Sequence, residues 1–313
     1  MAPRTPNSTT AIQGTRPSAG EHTVTGGGWR RHLSPHMAML MPAIIVLAAL
    51  SIFPFIYIIY LSLTGAKLGS SELPFVALKN WIHLFNDPGV LHSWQVTLTF
   101  GVVGLVAEVG LGLGIALVFY NAPWGRNLLV TLFMLPIFVA PVVTGLLWRF
   151  MLNSSYGVYA WILQNLGMKL DVLGNIKTAL PAVIAMDIWE WTPLITLIVL
   201  AGLQSLPIEP QESARVDGAS SLQVFRYVTL PLLSRTLLVA LLIRAMDILR
   251  YFDTIFITTA GGPADTTKII GQRLYEVAFR FRDLGYAAAI GLSMLLVTIL
   301  LGRAFVTLMY RRD

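Results

Sequence analysis

The stretch ESARVDGASSLQVFRYVTLPLLS, Glu212 to Ser234, carries two acids, two arginines and a glycine, yet it lies between two of the most apolar regions of the chain. The 313 residues are 55% hydrophobic and only 12% charged, against about 25% charged for an ordinary soluble domain. A helix crossing the hydrocarbon core of a bilayer needs about 20 predominantly apolar residues. Six runs reach that length, at roughly 38 to 63, 96 to 119, 128 to 151, 180 to 203, 232 to 259 and 286 to 310. The composition therefore predicts an all-α membrane protein with six transmembrane helices. A β-barrel needs short strands of alternating polarity, whereas LLVTLFMLPIFVAPVVTGLLW is apolar on all sides.

The polar stretch reads as helix, turn, helix outside the bilayer. Pro207 and Pro210 stop the preceding helix and set the first turn of the next, with Glu209 and Glu212 near its positive end. Gly218 can take the left-handed conformation that ends a helix, and Ser220 or Ser221 can cap the next one. Leu222, Phe225 and Val228 then form an apolar stripe beside Gln223, Arg226 and Tyr227, expected to pack against the chain's own helices. A helix resting on the membrane surface has the same pattern.

The spacing Glu212-Ser213-Ala214, Gly218, Val228-Thr229-Leu230-Pro231 resembles the EAA loop of ABC-importer permease subunits, with Ser in the second position and Val for Ile. FVALKNWIHLFNDP, GRNLLVTLFMLPIFVAPVVTGLLWRFMLNSSYG and ITTAGGPADTTKIIGQRLYEVAFRFRDLGYAAAI are similar, in the same order, to segments of MalF-like permeases of carbohydrate importers. The resemblance runs from about Met39 and implies the MetI-like fold of type I ABC importers, without the large external insertion of the maltose permease. It also implies that the loop over 204–231 is a coupling helix docked on an ATPase, with Glu212, Ser213, Ala214, Asp217, Gly218 and Pro231 as the coupling residues. The loop is then cytoplasmic, and so are both termini. The charge count alone barely decides this, at nine Lys and Arg on one side against eight on the other. Residues 1–36, rich in Ser, Thr, Pro and Gly with four arginines, read as a disordered basic cytoplasmic tail, and 37–313 as the permease domain.

Charge inside the apolar runs is expensive and usually faces protein or water. Arg244, Asp247, Arg250 and Asp253 recur at a spacing of three in the fifth run. They read either as a self-neutralising ladder or, for Asp247, Arg250 and Tyr251, as a lining of the translocation pathway; in maltose-type permeases the equivalent window contacts the sugar. In the fourth run, Asp187 precedes Trp189, Glu190 and Trp191. An aromatic plate beside carboxylates suits the C–H faces and hydroxyls of a sugar, although tryptophan also anchors helices at the interface. Glu108, Gly112 and Ala116, with Gly110 and Gly114 as a second small pair, read as helix packing, the carboxylate bonding across the contact.

Enzymatic readings find no support in the residues. There is no cysteine, no phosphate-binding GxxxxGK[ST] loop and no HExxH, and GGPADTTK lacks the glycine before its lysine. ATP hydrolysis is then expected from a partner, and the resemblance places ATP and Mg on two ATP-binding subunits. It also implies a second permease subunit, an extracytoplasmic solute-binding protein that delivers a saccharide, and the bacterial inner membrane. The scattered basic residues, net +6, reflect membrane topology and imply no nucleic acid. The competing class is an ion-coupled secondary transporter or channel using the Arg/Asp row as a relay. It predicts inverted repeats, which are not visible, and leaves the Glu212–Pro231 cassette unexplained.

Overall fold

The computed structural model describes residues 35–122, 125–167 and 171–310. The basic tail up to residue 34 lies outside them, as do Lys169, Arg311 and Arg312. The chain divides into residues 1–51 and 52–313. The first unit holds the beginning of α1 (Pro35–Ser62). Described residues of the second continue through α2 (Lys79–Asn86), α3 (Pro88–Asn121), α4 (Arg126–Phe133), α5 (Pro141–Met151), α6 (Val158–Asn165), α7 (Ala179–Ser205), α8 (Glu209–Val216), α9 (Ser221–Val224), α10 (Leu230–Ile248), α11 (Asp253–Thr258), α12 (Ile270–Tyr275) and α13 (Leu284–Tyr310).

Among the described residues, five helices are long and apolar enough to cross a membrane: Met39–Ser62, Pro88–Asn121, Ala179–Ser205, Ser221–Ile248 and Leu284–Met309. The run at 128–151 is not among them. Pro136 sits in a short 3-10 turn, Leu135–Phe138, and Pro141 begins α5 after an extended Ala140. Proline lacks the N–H that a continuous helix needs at these positions and disfavours helical geometry in the residue before it. Hydrophobicity thus set the length of this run, and two prolines divided it. The run expected at 232–259 also differs: it starts earlier, at Ser221, and stops at Ile248, before the short α11.

In the second unit α3 packs along α7, and α10 packs on α3, α7 and α13. Gly112 permits the α3–α7 approach, since a Cβ there would lie 2.7 Å from Ile195 Cγ2. Glu108, Gly112 and Ala116 are all buried, as the small-residue pattern predicts. Gly110 and Gly114 instead have nothing within 4 Å of an added Cβ, so the second small pair makes no close contact among the described residues.

At the end of the molecule where α1 finishes and α3 begins, residues 63–76 form a short hairpin. The Gly65 N–H donates to Pro74 O at 2.8 Å and the Val76 N–H to Leu63 O at 2.9 Å. Asp87 caps α3 through the Gly89 N–H at 2.7 Å and accepts from Tyr286 Oη of α13 at 2.7 Å. A second ion-pair group lies between α12 and the loop before it. There Lys268 Nζ contacts Asp265 at 2.7 Å and Glu276 at 2.9 Å, while Arg273 reaches the same two carboxylates at 3.0 and 3.2 Å.

Candidate functional site: coupling cassette and pathway pocket

The cassette takes the form its residues predict. Helix α8 has Pro210 in its first turn with Glu209 and Glu212, and none of its residues is buried. It ends where Gly218 adopts φ +85°, with the Ala219 N–H donating back to Ala214 O at 2.9 Å. Ser220, rather than Ser221, then caps α9: its Oγ accepts from the Gln223 N–H at 3.4 Å and Gln223 Oε1 accepts from its own N–H at 2.7 Å. Glu212, Ser213, Asp217, Gly218 and Pro231 are exposed and Ala214 is half-buried.

The apolar stripe differs from expectation. Leu222 is exposed, and the buried side chains are Val224 and Thr229. A π-helical turn, Phe225–Thr229, follows Val224. Through that turn the second helix runs directly into the transmembrane segment, making one helical stretch from Ser221 to Ile248. At 1.5 Å per residue it extends about 42 Å.

At the far end of this stretch lies a buried group of charges. Arg244 is fully buried. Its Nε and Nη2 donate to Glu108 Oε2 and Oε1 at 2.9 and 2.7 Å, Nη2 also to Asp187 Oδ2 at 2.9 Å, and Nη1 to Asp247 Oδ2 at 2.8 Å. Its guanidinium stands 4.8 Å from the Trp191 ring centroid. One arginine thereby joins α3, α7 and α10, and its donors are met by carboxylates at charge-assisted distances. The ladder reading holds only in part. Arg244–Asp247 and Asp247–Arg250 do pair, the latter at 3.7 Å, but Arg244 is anchored chiefly by Glu108 and Asp187, on other helices.

Arg250 and Tyr251, expected within a helix, lie in the break between α10 and α11. Arg250 is exposed at 76% of its side chain and Tyr251 is buried. Phe252, with φ −151°, turns the chain into α11. The break opens a pocket of about 100 Å³ lined by Pro141, Trp191, Asp247, Arg250, Tyr251, Phe252 and Asp253. Four of the six expected pathway residues, Trp191, Asp247, Arg250 and Tyr251, thus share one cavity. Trp189 and Glu190 do not line it, because successive helical residues diverge by 100°. Trp189 is exposed and packs edge-on to Trp148 at 5.7 Å, while Glu190 is buried and accepts from Thr144 Oγ1 of α5 at 3.3 Å.

Glu190 Oε2, Trp191 Nε1 and Tyr251 Oη are buried polar atoms with no hydrogen-bond partner among the described residues. A pocket of this volume is well below the 300 Å³ at which small-molecule sites usually begin. Pro141 and Phe252 were missed by sequence reasoning, and no local signal marks them. Glu108 and Asp187, the main partners of Arg244, lie 136 and 57 residues from it in sequence. Only the need to neutralise an intramembrane arginine points to them.

Residues 108–312 match the family described as "Binding-protein-dependent transport system inner membrane component". The chain is 35% identical over 280 residues to the trehalose/maltose transport system permease protein MalF of Thermococcus litoralis, covering 88% of this chain and 94% of that one. It is 30% identical to the sn-glycerol-3-phosphate transport system permease protein UgpA of Brucella suis, over 84% and 90% of the two chains. In fold it is similar to a chain of a bacterial ABC transporter involved in import of the acidic polysaccharide alginate, with a TM-score of 0.76 and 24% identity over 88% and 94% of the two chains. The relatives are transport permeases, not enzymes. The chain belongs to the family of binding-protein-dependent transport inner membrane components and is an ABC transporter permease.

Proposed function

We propose that this chain is one of two permease subunits of an ATP-driven importer for a saccharide or sugar derivative. Its cassette docks on a cytoplasmic ATPase subunit, and a solute-binding protein delivers substrate from the other side. One observation carries the reading. A single helical stretch, Ser221 to Ile248, begins at the exposed cassette and ends beside the pathway pocket, so a displacement at the α9 end of the cassette is transmitted to Asp247 along one helix. Trp191, Tyr251 and Phe252 offer faces for sugar C–H groups, and Asp247 and Asp253 accept from hydroxyls. A second permease supplies the missing walls.

In this reading both termini are cytoplasmic, and the broken segment from α4 to α5 supplies the sixth crossing. Irregular backbone is tolerated at membrane depth where it lines a cavity, and Pro141 at the start of α5 lines the pathway pocket. Mechanism is alternating access, which requires ATP and the binding protein to bind the two states with different affinities. An ion relay along the Arg/Asp row fits less well, because Arg244 is held on all sides and Arg250 projects from a helix break.

The test is reconstitution. Uptake of labelled saccharide into vesicles should require this chain, its permease partner, the ATPase, the binding protein and ATP together. Uptake by this chain alone, driven by a proton or sodium gradient, would overturn the reading.

A further inference from the structure

Helix α2 is not one of the apolar spans, yet its outward face is apolar. Ile82 and Phe85 are 63% and 68% exposed, and Phe75 and Leu78 in the approach to it are 69% and 60% exposed. The opposite face supplies Leu84, buried, and Trp81, half-buried against the core formed with α13. An eight-residue helix that spends its inner face on packing and, with the approach to it, still presents four large apolar side chains outward is costly in water.

The position of α2 fixes what covers that face. Its first turn is tied to the last residue of α1: Asn80 Nδ2 donates to Ser62 O at 2.9 Å and to Thr64 O at 2.8 Å, and Trp81 Nε1 reaches Ser62 Oγ at 3.3 Å. Its far end is separated from α3 by Asp87 alone, whose extended backbone (ψ 108°) turns the chain and whose carboxylate caps α3. Both ends of α2 are thus pinned where spanning helices terminate. Those helices expose apolar side chains as well, Ile56 at 59% and Leu98 at 56%, so the apolar face of α2 lies at the ends of helices whose own surfaces suit lipid tails. Lys79 and His83, exposed on the same helix, fit a layer of lipid phosphates.

We propose that α2, with Phe75 and Leu78, is an interfacial helix. Its apolar side enters the outer headgroup and acyl boundary of the bilayer, and it binds phospholipid rather than a protein partner. It fixes the depth of the cap built by Asp87 and Tyr286.

The absence of cysteine permits a direct test. Phe85→Cys, Leu98→Cys and Ser71→Cys are each spin-labelled in the assembled importer, in vesicles of three parts phosphatidylcholine to one part phosphatidylglycerol. Collision with oxygen is compared with collision with a water-soluble nickel chelate. Leu98 reports lipid and Ser71, at the polar tip of the hairpin, reports water. The expected oxygen-to-nickel ratio at Phe85 is roughly fivefold above that at Ser71 and below that at Leu98. A ratio equal to Ser71, or protection from both reagents as a protein contact would give, overturns the proposal. Ile82→Cys provides the same readout should Phe85→Cys assemble poorly.

Discussion

Two ion-pair groups in this molecule use the same side-chain chemistry in opposite surroundings. Arg244 with Glu108, Asp187 and Asp247 is enclosed among apolar helices, its guanidinium and two of its three carboxylates fully buried. Lys268, Arg273 and Arg280 with Asp265 and Glu276 lie outside the apolar spans, with Asp265 42% exposed and Arg280 76% exposed. The first group is what lets charge stay inside a membrane protein, and the second joins a loop to a helix. Burial decides what each ion pair does: removing a partner of Arg244 strands the others, whereas at Asp265 and Arg280, which reach solvent, water takes over.

The largest expected effect is therefore Arg244→Met. It leaves Glu108 and Asp187 facing one another without a cation and Asp247 with Arg250 alone, a loss of about 3–5 kcal/mol, seen as a fall in thermal stability in detergent measured by circular dichroism. Joint replacement by Glu108→Gln, Asp187→Asn and Arg244→Met should recover part of that loss. Equal destabilisation by both variants would make the inner group no different from a surface pair. Next comes Glu276→Ala, which removes a buried carboxylate shared by Lys268, Arg273 and Arg280 and should cost about 1–3 kcal/mol, measured in the same way. The smaller Asp265→Asn effect, under about 1 kcal/mol, should shrink further in 1 M salt, while that of Arg244→Met should not.

The smallest effect is on pH. Burial raises the Asp265 carboxyl, but hydrogen bonding and charge from Lys268, with Arg273, outweigh it and hold the group below its ordinary value. A depressed carboxylate contributes stability that is present above its unfolded pKa of about 3.9 and is lost as pH falls through the lower folded value. Amide exchange over residues 262–276 should thus be flat from pH 7 to about pH 4, after correction for intrinsic rates, and accelerate below it. Acceleration already near pH 6 would assign the loop's stability to another group.

Most of the cassette was legible in the sequence, because turn chemistry is local. A left-handed glycine, a serine cap and prolines in first turns act over three or four residues, and Gly218, Ser220 and Pro210 all behave as they read. The π-helical turn at Phe225–Thr229 was not legible, nor was the burial of Val224 in place of Leu222. The spans at Pro88–Asn121, Ala179–Ser205 and Leu284–Met309 accord with length and hydrophobicity. The division at Pro136 and Pro141 was visible as residues, but a window of apolar composition does not register them. Spacing alone suggested the Arg244 row was an intrahelical ladder. Its main partners are set by packing of α3 and α7, which no spacing within the fifth run encodes. The same limit applies to the pocket: four pathway residues converge because α10 stops at Ile248, and the break itself had no marker.

If the cassette drives the pocket, Gly218 is the residue that tests it most cleanly. Its φ of +85° is strained for any side chain with a Cβ, and nothing lies within 4 Å of an added Cβ, so Gly218→Val perturbs the turn without clashing elsewhere. The measurement is saccharide uptake per ATP hydrolysed by the reconstituted importer. Coupling through the turn predicts continued hydrolysis with uptake reduced roughly tenfold or more, equivalent to about 1.4 kcal/mol of lost coupling. An unchanged ratio of uptake to hydrolysis would contradict it.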